Sequence, residues 1–276
     1  MSEKFRPLGL GYANLGALLM SIGLPYDSES GRVVAASITS LMTSVAYFQS
    51  SEIAEKIGNF EGLKNNYKGF KNVIVNHVDE QVNLERINIG FIPLKNLESI
   101  IGNAGHYWST LLSRNNFRNS QISLIAPTGT ISFMMDCDTT GVEPEMSLIK
   151  HKTLVGGGNL KIVNHNVEQA LHSLQCYNNT EINKILDFIQ DNNTVEGSPH
   201  LKTEHYPIFD CAFKGNGQNS IAPMGHAKMV AAITPFLSGA VSKTINLPNE
   251  ATVEDIENVY MQSWELGIKD ISVYRD

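Results

Sequence analysis

Cysteine is scarce in this chain. There are three, Cys137, Cys176 and Cys211, widely spaced and odd in number. No Cys-x-x-Cys occurs, so a zinc ribbon and a disulfide framework are both disfavoured, and a reducing cytoplasmic setting is expected. Basic residues are also few. Lys and Arg number 21 against 28 Asp and Glu, for a formal charge of −7, and no basic run stands out. Nucleic acid held by phosphate neutralisation is therefore not an expected partner. A small anion remains possible, because convergent backbone N–H groups bind phosphate without a basic surface. No long hydrophobic run of membrane-spanning length is apparent, so no membrane partner is expected, and Met1 to Pro7 lacks a signal-peptide core. His151, His165, His200, His205 and His226 lack metal-ligand spacing, so no metal site is expected.

What is present is an ordinary globular composition, 42% apolar and 18% charged, long enough for a sizeable core. Leu8 to Gly23 carries leucines at helical spacing, ended by Pro25. Asp27 or Ser28 can cap a long helix to about Ile57, with Val34, Ile38, Leu41, Val45 and Phe48 as its buried stripe. Residues 58–105 read as loops and short helices, and Gly105 to Asn115 as helix. Ile122 to Ala126 (ISLIA) has the apolar, β-branched character of a buried strand. Gly156-Gly157-Gly158 reads as a flexible break. Helices are predicted from Asn166 to about Leu174, from Thr180 onward, and within Pro223 to Leu237, with loop over 192–225. Ala240 to Leu247 and Ile271 to Tyr274 read as strands. Between them Thr252 and Asp255 form a capping-box pattern ahead of a helix with an Ile256, Val259, Tyr260 and Trp264 stripe, and Gly267 fits its end. That strand–helix–strand unit is long enough for a parallel crossover, which points to an α/β architecture.

The chemistry centres on Ala126 to Ser132, APTGTIS. A buried strand runs into Pro127-Thr128-Gly129-Thr130 and then into a helix start. Gly129 allows close backbone approach, and successive N–H groups with the threonine hydroxyls can hold a diphosphate. Such a strand end can equally be a simple turn. The anion reading requires the tip near Gly129 to be exposed and to face a cavity. Cys137 and Cys211 have apolar neighbours and read as quiet core thiols, and Cys176 as a loop residue.

Five blocks carry a family resemblance. They are Arg6–Arg32 (RPLGLGYANLGALLMSIGLPYDSESGR), Arg118–Asn164 with its DCDTTGVEPE and GGG segments, HYPIFDCAF at His205–Phe213, Met224–Ile256, and SWELGIKDISVYRD at Ser263–Asp276. In this order they resemble adenosylcobalamin-dependent ribonucleotide reductases, the class II enzymes rather than the iron-dependent class I. The resemblance implies the C-terminal portion of a ten-stranded α/β barrel. It implies that Pro127, Thr128, Gly129, Thr130 and Ile131, assisted by Ser132, bind the diphosphate of a ribonucleoside diphosphate. It further implies cobalamin-initiated thiyl radical chemistry that replaces the ribose 2′-hydroxyl by hydrogen, with a thioredoxin-type reductant. The family's Asn-x-Cys-x-Glu finger loop is absent from this sequence, as are the effector-binding N-terminal part and the cysteine-bearing tail. No catalytic residue is therefore assigned, and none of the three cysteines receives the radical or redox-pair role. Such a partial barrel exposes two sheet edges. The expectation is a split-gene subunit that pairs with a separate N-terminal half, or a truncated frame. The alternative is a phosphate-binding module without reductase activity of its own.

Overall fold

The computed structural model describes residues 1–153 and 159–275. A one-turn helix α1 (Ser2–Phe5) precedes α2 (Leu15–Ser21), α3 (Glu29–Ile57), α4 (Leu63–Glu85) and α5 (Leu97–Ser113). The short α6 (Gly129–Met134) leads to strands β1 (Ile149–Thr153) and β2 (Asn159–Val163). Helices α7 (His165–Ser173), α8 (Asn179–Asn192) and α9 (Pro223–Ile233) follow, then β3 (Thr244–Leu247), α10 (Val253–Glu265) and β4 (Ser272–Arg275). The Gly156–Gly158 break lies outside the described residues.

The strands that matter for the site are parallel and non-consecutive. Leu10 bridges Ser123, Ile125 bridges Val241, and β3 pairs with β4, each in parallel. Four segments thus lie side by side in the order 8–10, 122–125, 240–247 and 272–275. The bonds Leu10 N–H to Ile122 O (2.8 Å), Leu124 N–H to Leu10 O (2.9 Å) and Ser242 N–H to Ile125 O (2.8 Å) tie the first three together. α10 makes the crossover between β3 and β4 that the sequence predicts. The outer members each have one neighbour among the described residues, so this array has two open edges. β1 and β2 form a separate antiparallel hairpin, which the sequence reading left out.

Helix α3 is the central element, packed on α5 and α9. Ser28 caps it, its Oγ accepting from Gly31 N–H at 2.9 Å. The expected aliphatic stripe is corrected. Val34 is buried, but Val45 is exposed and Ile38, Leu41 and Phe48 lie on the flanks. The buried face is instead a line of mostly small residues, among them Ala36, Ser40, Thr43, Ser44 and Ser51, with the one large ring of Tyr47 between them. Small side chains let neighbouring backbones approach, and each hydroxyl has a local acceptor or a partner side chain. Ser37 donates to Val33 O at 2.7 Å, Ser40 to Gln81 Oε1 at 2.7 Å, and Thr43 Oγ1 bonds Ser123 Oγ at 2.9 Å. By length and composition this helix could cross a membrane, because residues 33–50 carry no charge. The expectation of no such run is corrected on that point.

Four further expectations are corrected. The segment 58–105 holds the 23-residue α4 and the first half of α5 around a loop at 86–96, where loops and short helices are expected. The asparagines of α4 lie on its outer faces, while Phe70, Ile74, His77, Gln81 and Leu84 face inward at helical spacing. Residues 8–11 are extended and only Leu15–Ser21 is helical, because the first part pairs with 121–124. The 122–126 strand is present only as two bridges. In α10, Val259 is buried but Tyr260 and Trp264 point outward, Trp264 at 72% exposure. Elsewhere α7, α8 and α9 stand where the periodicity put them, α8 held by an Asn178–Glu181 capping box. A 3-10 helix, Thr203–Phe209, interrupts the 192–225 loop.

Candidate functional site

The APTGTIS segment sits at the carboxyl end of the 122–125 strand, between the 8–10 and 240–247 segments. In parallel α/β sheets, ligands gather at these ends, because the loops that follow the strands converge there. Pro127, Gly129, Thr130 and Ile131 are exposed, Thr128 is half-buried, and Ser132 is 2% exposed. Thr128 takes a left-handed conformation, φ 54°, as the N-cap of α6. That geometry turns the chain sharply and points the first amides of α6 outward. The bond Ser132 N–H to Thr128 O (2.9 Å) closes the first turn. The N–H groups of Gly129, Thr130 and Ile131 have no acceptor among the described residues, as is usual for a helix start. A Cβ built on Gly129 meets nothing within 4 Å.

Two hydroxyls assigned from sequence work within the loop. Thr128 Oγ1 lies 2.9 Å from Ser132 Oγ and accepts from Gly141 N–H at 2.7 Å. The six predicted residues are therefore together, with three amides and the Thr130 hydroxyl facing outward, and Thr128 with Ser132 shaping the turn. The tip is exposed as the anion reading requires. The second condition is not met by this chain alone. The clefts formed by the described residues lie elsewhere, ≈ 830 Å³ beside the start of α8, ≈ 520 Å³ between α3, α4 and α9, and ≈ 460 Å³ beside α4. Beside the tip, Phe133 and Met134 are 85% and 80% exposed, with Ile131 and Met135 also open.

Several residues that support the loop were not singled out from sequence. Asn14, itself left-handed at φ 71°, accepts from Asp138 N–H (2.9 Å) and Thr139 N–H (3.0 Å) through Oδ1. This anchors the DCDTTG turn to the start of α2. Asp138 collects Lys150, Asn166 Nδ2 (3.2 Å) and His165 Nε2 (3.3 Å). Asn166 also donates to the buried Glu145 at 2.9 Å, whose pKa burial pushes above the usual carboxylate range. Deeper in, Lys243 Nζ lies 2.6 Å from Glu143 Oε2 and donates to His226 Nδ1 at 2.8 Å. Burial, and then the Lys243 charge, lower the His226 pKa to about 2, so the imidazole is neutral and accepts. The only sequence signal for these contacts was that DCDTTG and GVEPE stood inside the family-like block.

The cysteines divide. Cys211 is buried, and its thiol pKa is pushed well up by burial and then by Glu145 and Asp210. Cys176 is exposed, as read. Cys137 is half-buried on the polar turn rather than in a core, because the left-handed Asp136 ends α6 and swings it outward.

The family model described as "Ribonucleotide reductase, barrel domain" matches residues 1–274. The vitamin B12-dependent ribonucleotide reductase of Streptantibioticus cattleyicolor is 47% identical over 278 residues, covering 100% of this chain and 45% of that protein. The enzyme of the same name from Streptomyces coelicolor is 48% identical over 278 residues, covering 100% of this chain and 28% of that protein. The chain thus spans less than half the length of these relatives. Among solved structures, the Actinobacillus ureae class Id ribonucleotide reductase alpha subunit aligns over 100% of this chain and 40% of its own, with a TM-score of 0.65 at 17% identity, a likeness of fold. With parallel strands ending at an exposed Pro-Thr-Gly-Thr turn, and a match along nearly its whole length, this chain belongs to the ribonucleotide reductase barrel-domain family.

Proposed function

We propose that this chain supplies the substrate-diphosphate loop of an adenosylcobalamin-dependent ribonucleotide reductase, as one part of a larger catalytic barrel. One observation carries the reading. Three successive amides, Gly129 to Ile131, stand unpartnered at the exposed carboxyl end of a parallel strand. Such a set donates to phosphate oxygens without needing a cation. Gly129 leaves open space where a side chain would otherwise stand between those oxygens and the backbone.

The chemistry this reading serves is the reduction of a ribonucleoside diphosphate to its 2′-deoxy form, with a thioredoxin-type reductant restoring the enzyme. The radical cysteine, its finger loop and the redox pair belong to the remainder of the reductase. Adenosylcobalamin would supply radical initiation. The clefts of the described residues lie away from the loop, and in this reading the remainder of the reductase completes the cofactor's site. The apolar side chains at 131 and 133–135 form a surface for that remainder to cover. Whether it is a separate polypeptide or continuous chain, its contact with this part completes the barrel. The missing Asn-x-Cys-x-Glu motif favours a second reading, a phosphate-binding module with no turnover of its own.

Reconstitution tests both. The chain is mixed with the complementary part of a vitamin B12-dependent reductase, adenosylcobalamin and a dithiol, and conversion of CDP to dCDP is followed. Activity that depends on both parts supports the reductase reading. Binding of CDP by the chain without any reconstituted turnover favours the second. In the active mixture, Gly129→Val should raise the KM for CDP at least tenfold by crowding the diphosphate; an unchanged KM removes the loop from substrate binding.

A further inference from the structure

The loop's shape depends on contacts buried far from its tip, and those contacts close a ring. Ile125, at the root of the loop, is bonded on both sides to the 240–242 segment: its N–H donates to Ala240 O at 3.0 Å and its O accepts from Ser242 N–H at 2.8 Å. The next residue, Lys243, has a fully buried side chain, and its ammonium meets Glu143 Oε2 at 2.6 Å. The second carboxylate oxygen of Glu143 accepts from Thr244 N–H at 2.9 Å. Two residues before Glu143, the Gly141 amide donates to Thr128 Oγ1 at 2.7 Å, the contact that clasps the loop. The path therefore runs from strand to lysine, to glutamate, to turn, to loop, and back to the strand.

Thr128 is non-glycine at φ 54°, a conformation that persists only where the surroundings impose it. Gly141 is left-handed, and a Cβ added there would lie 2.7 Å from Ala126 O, so the turn has no room for another residue. A buried ion pair is poor evidence for added stability, but it holds elements in a fixed register when all its hydrogen-bonding capacity is used. Here both carboxylate oxygens are engaged. We propose that Glu143 and Lys243 are positioning residues for the anion loop: their pair sets the Gly141 turn against strand 240–244, and so fixes the direction of the Gly129–Ile131 amides. The functional weight of this device rests on the diphosphate reading; the structural device itself does not.

The test uses the 276-residue chain. Amide hydrogen exchange is compared for the wild type, Glu143→Gln, and Glu143→Gln/Lys243→Met, which leaves no uncompensated buried charge if either single change prevents folding. Exchange of the Ser132 and Gly141 amides, which are bonded to Thr128 O and Oγ1, should rise about tenfold while that of α8 stays unchanged. Equal exchange at Ser132 and Gly141 in folded variants overturns the proposal, and so does a uniform rise across the chain. Calorimetry with pyrophosphate then separates the two readings. If the wild type binds, Glu143→Gln should weaken affinity about tenfold. Combined with Thr128→Val it should add little more, because both changes release the same clasp. Additive losses, or unchanged affinity, overturn the positioning role. If the wild type binds no pyrophosphate while loop exchange still responds, the positioning of the loop by the pair stands, and the diphosphate reading is decided by the KM of Gly129→Val in the reconstituted enzyme.

Discussion

At the scale of single residues, two glycines of one site make opposite demands. Gly129 has ordinary helical geometry and empty space around its α-carbon, so nothing inside the chain requires glycine there. Gly141 is left-handed at φ 49°, and an added Cβ would lie 2.7 Å from Ala126 O. Gly129→Ala should therefore leave thermal unfolding within about 0.5 kcal/mol of wild type, and Gly141→Ala should cost about 2 kcal/mol. Denaturant titration of the two variants checks the contrast; equal losses would show that Gly129 is structural. The first glycine was legible in sequence because its neighbours form a compact local pattern with a chemical meaning. The second was not, because its partners, Thr128 and the Ala126 carbonyl, are thirteen and fifteen positions away and meet it only after folding. Glu143, Lys243 and His226 were hidden for the same reason. Each looks unremarkable in its own segment.

Among the elements, ends proved more legible than faces. The Thr252–Asp255 capping box of α10 is present on both sides: Asp255 N–H donates to Thr252 Oγ1 at 3.2 Å and Thr252 N–H donates to Asp255 Oδ2 at 2.8 Å. Caps are local, so four residues suffice to announce them. Thr252→Ala should cost about 1 kcal/mol, read as a fall in the unfolding midpoint at unchanged m-value. Faces depend on what covers them. In α3 the larger aliphatic residues mark the flanks and the hydroxyls mark the core, because α5 and the parallel strands come close to that side. In α10 half of the aromatic stripe looks outward, with Trp264 mostly in solvent. Residues 63–85 hid a helix behind asparagines and lysines, since their inward positions are diluted by polar neighbours.

Over the whole molecule, pH and exposed surface make two further demands. His77 and His226 are buried and neutral, with pKa values lowered to about 4 and about 2, in both cases chiefly by burial. The unfolded chain protonates these groups near pH 6.5 and the folded chain does not. Stability should therefore fall as pH drops below about 6.5, with a limiting slope from the two groups of about 2.7 kcal/mol per pH unit. In His77→Gln the slope between pH 6 and 4.5 should fall by up to about 1.4 kcal/mol per pH unit, measured by urea titration at each pH, with Asp210, raised to about 6 by burial, opposing the histidines in both proteins. An unchanged slope would mean that His77 titrates alike in both states. The open apolar side chains of α6 predict self-association of the chain in isolation. Phe133→Ser/Met134→Ser should shift light scattering toward the monomer and leave the far-ultraviolet circular dichroism unaltered; persistent association would place the sticky surface elsewhere.

The order of the parallel segments also governs how the molecule comes to life. The strand that bears the loop is flanked by residues 8–10 and 240–242, each more than a hundred positions distant. Closing such distant pairings is slow compared with winding helices. The α3–α5 bundle can assemble early from nearby sequence. The 126–132 loop gains its shape last, when residues 8–10 and 240–242 finally arrive on either side of its strand. Helical content should thus recover ahead of ligand recognition when the denatured chain is returned to water.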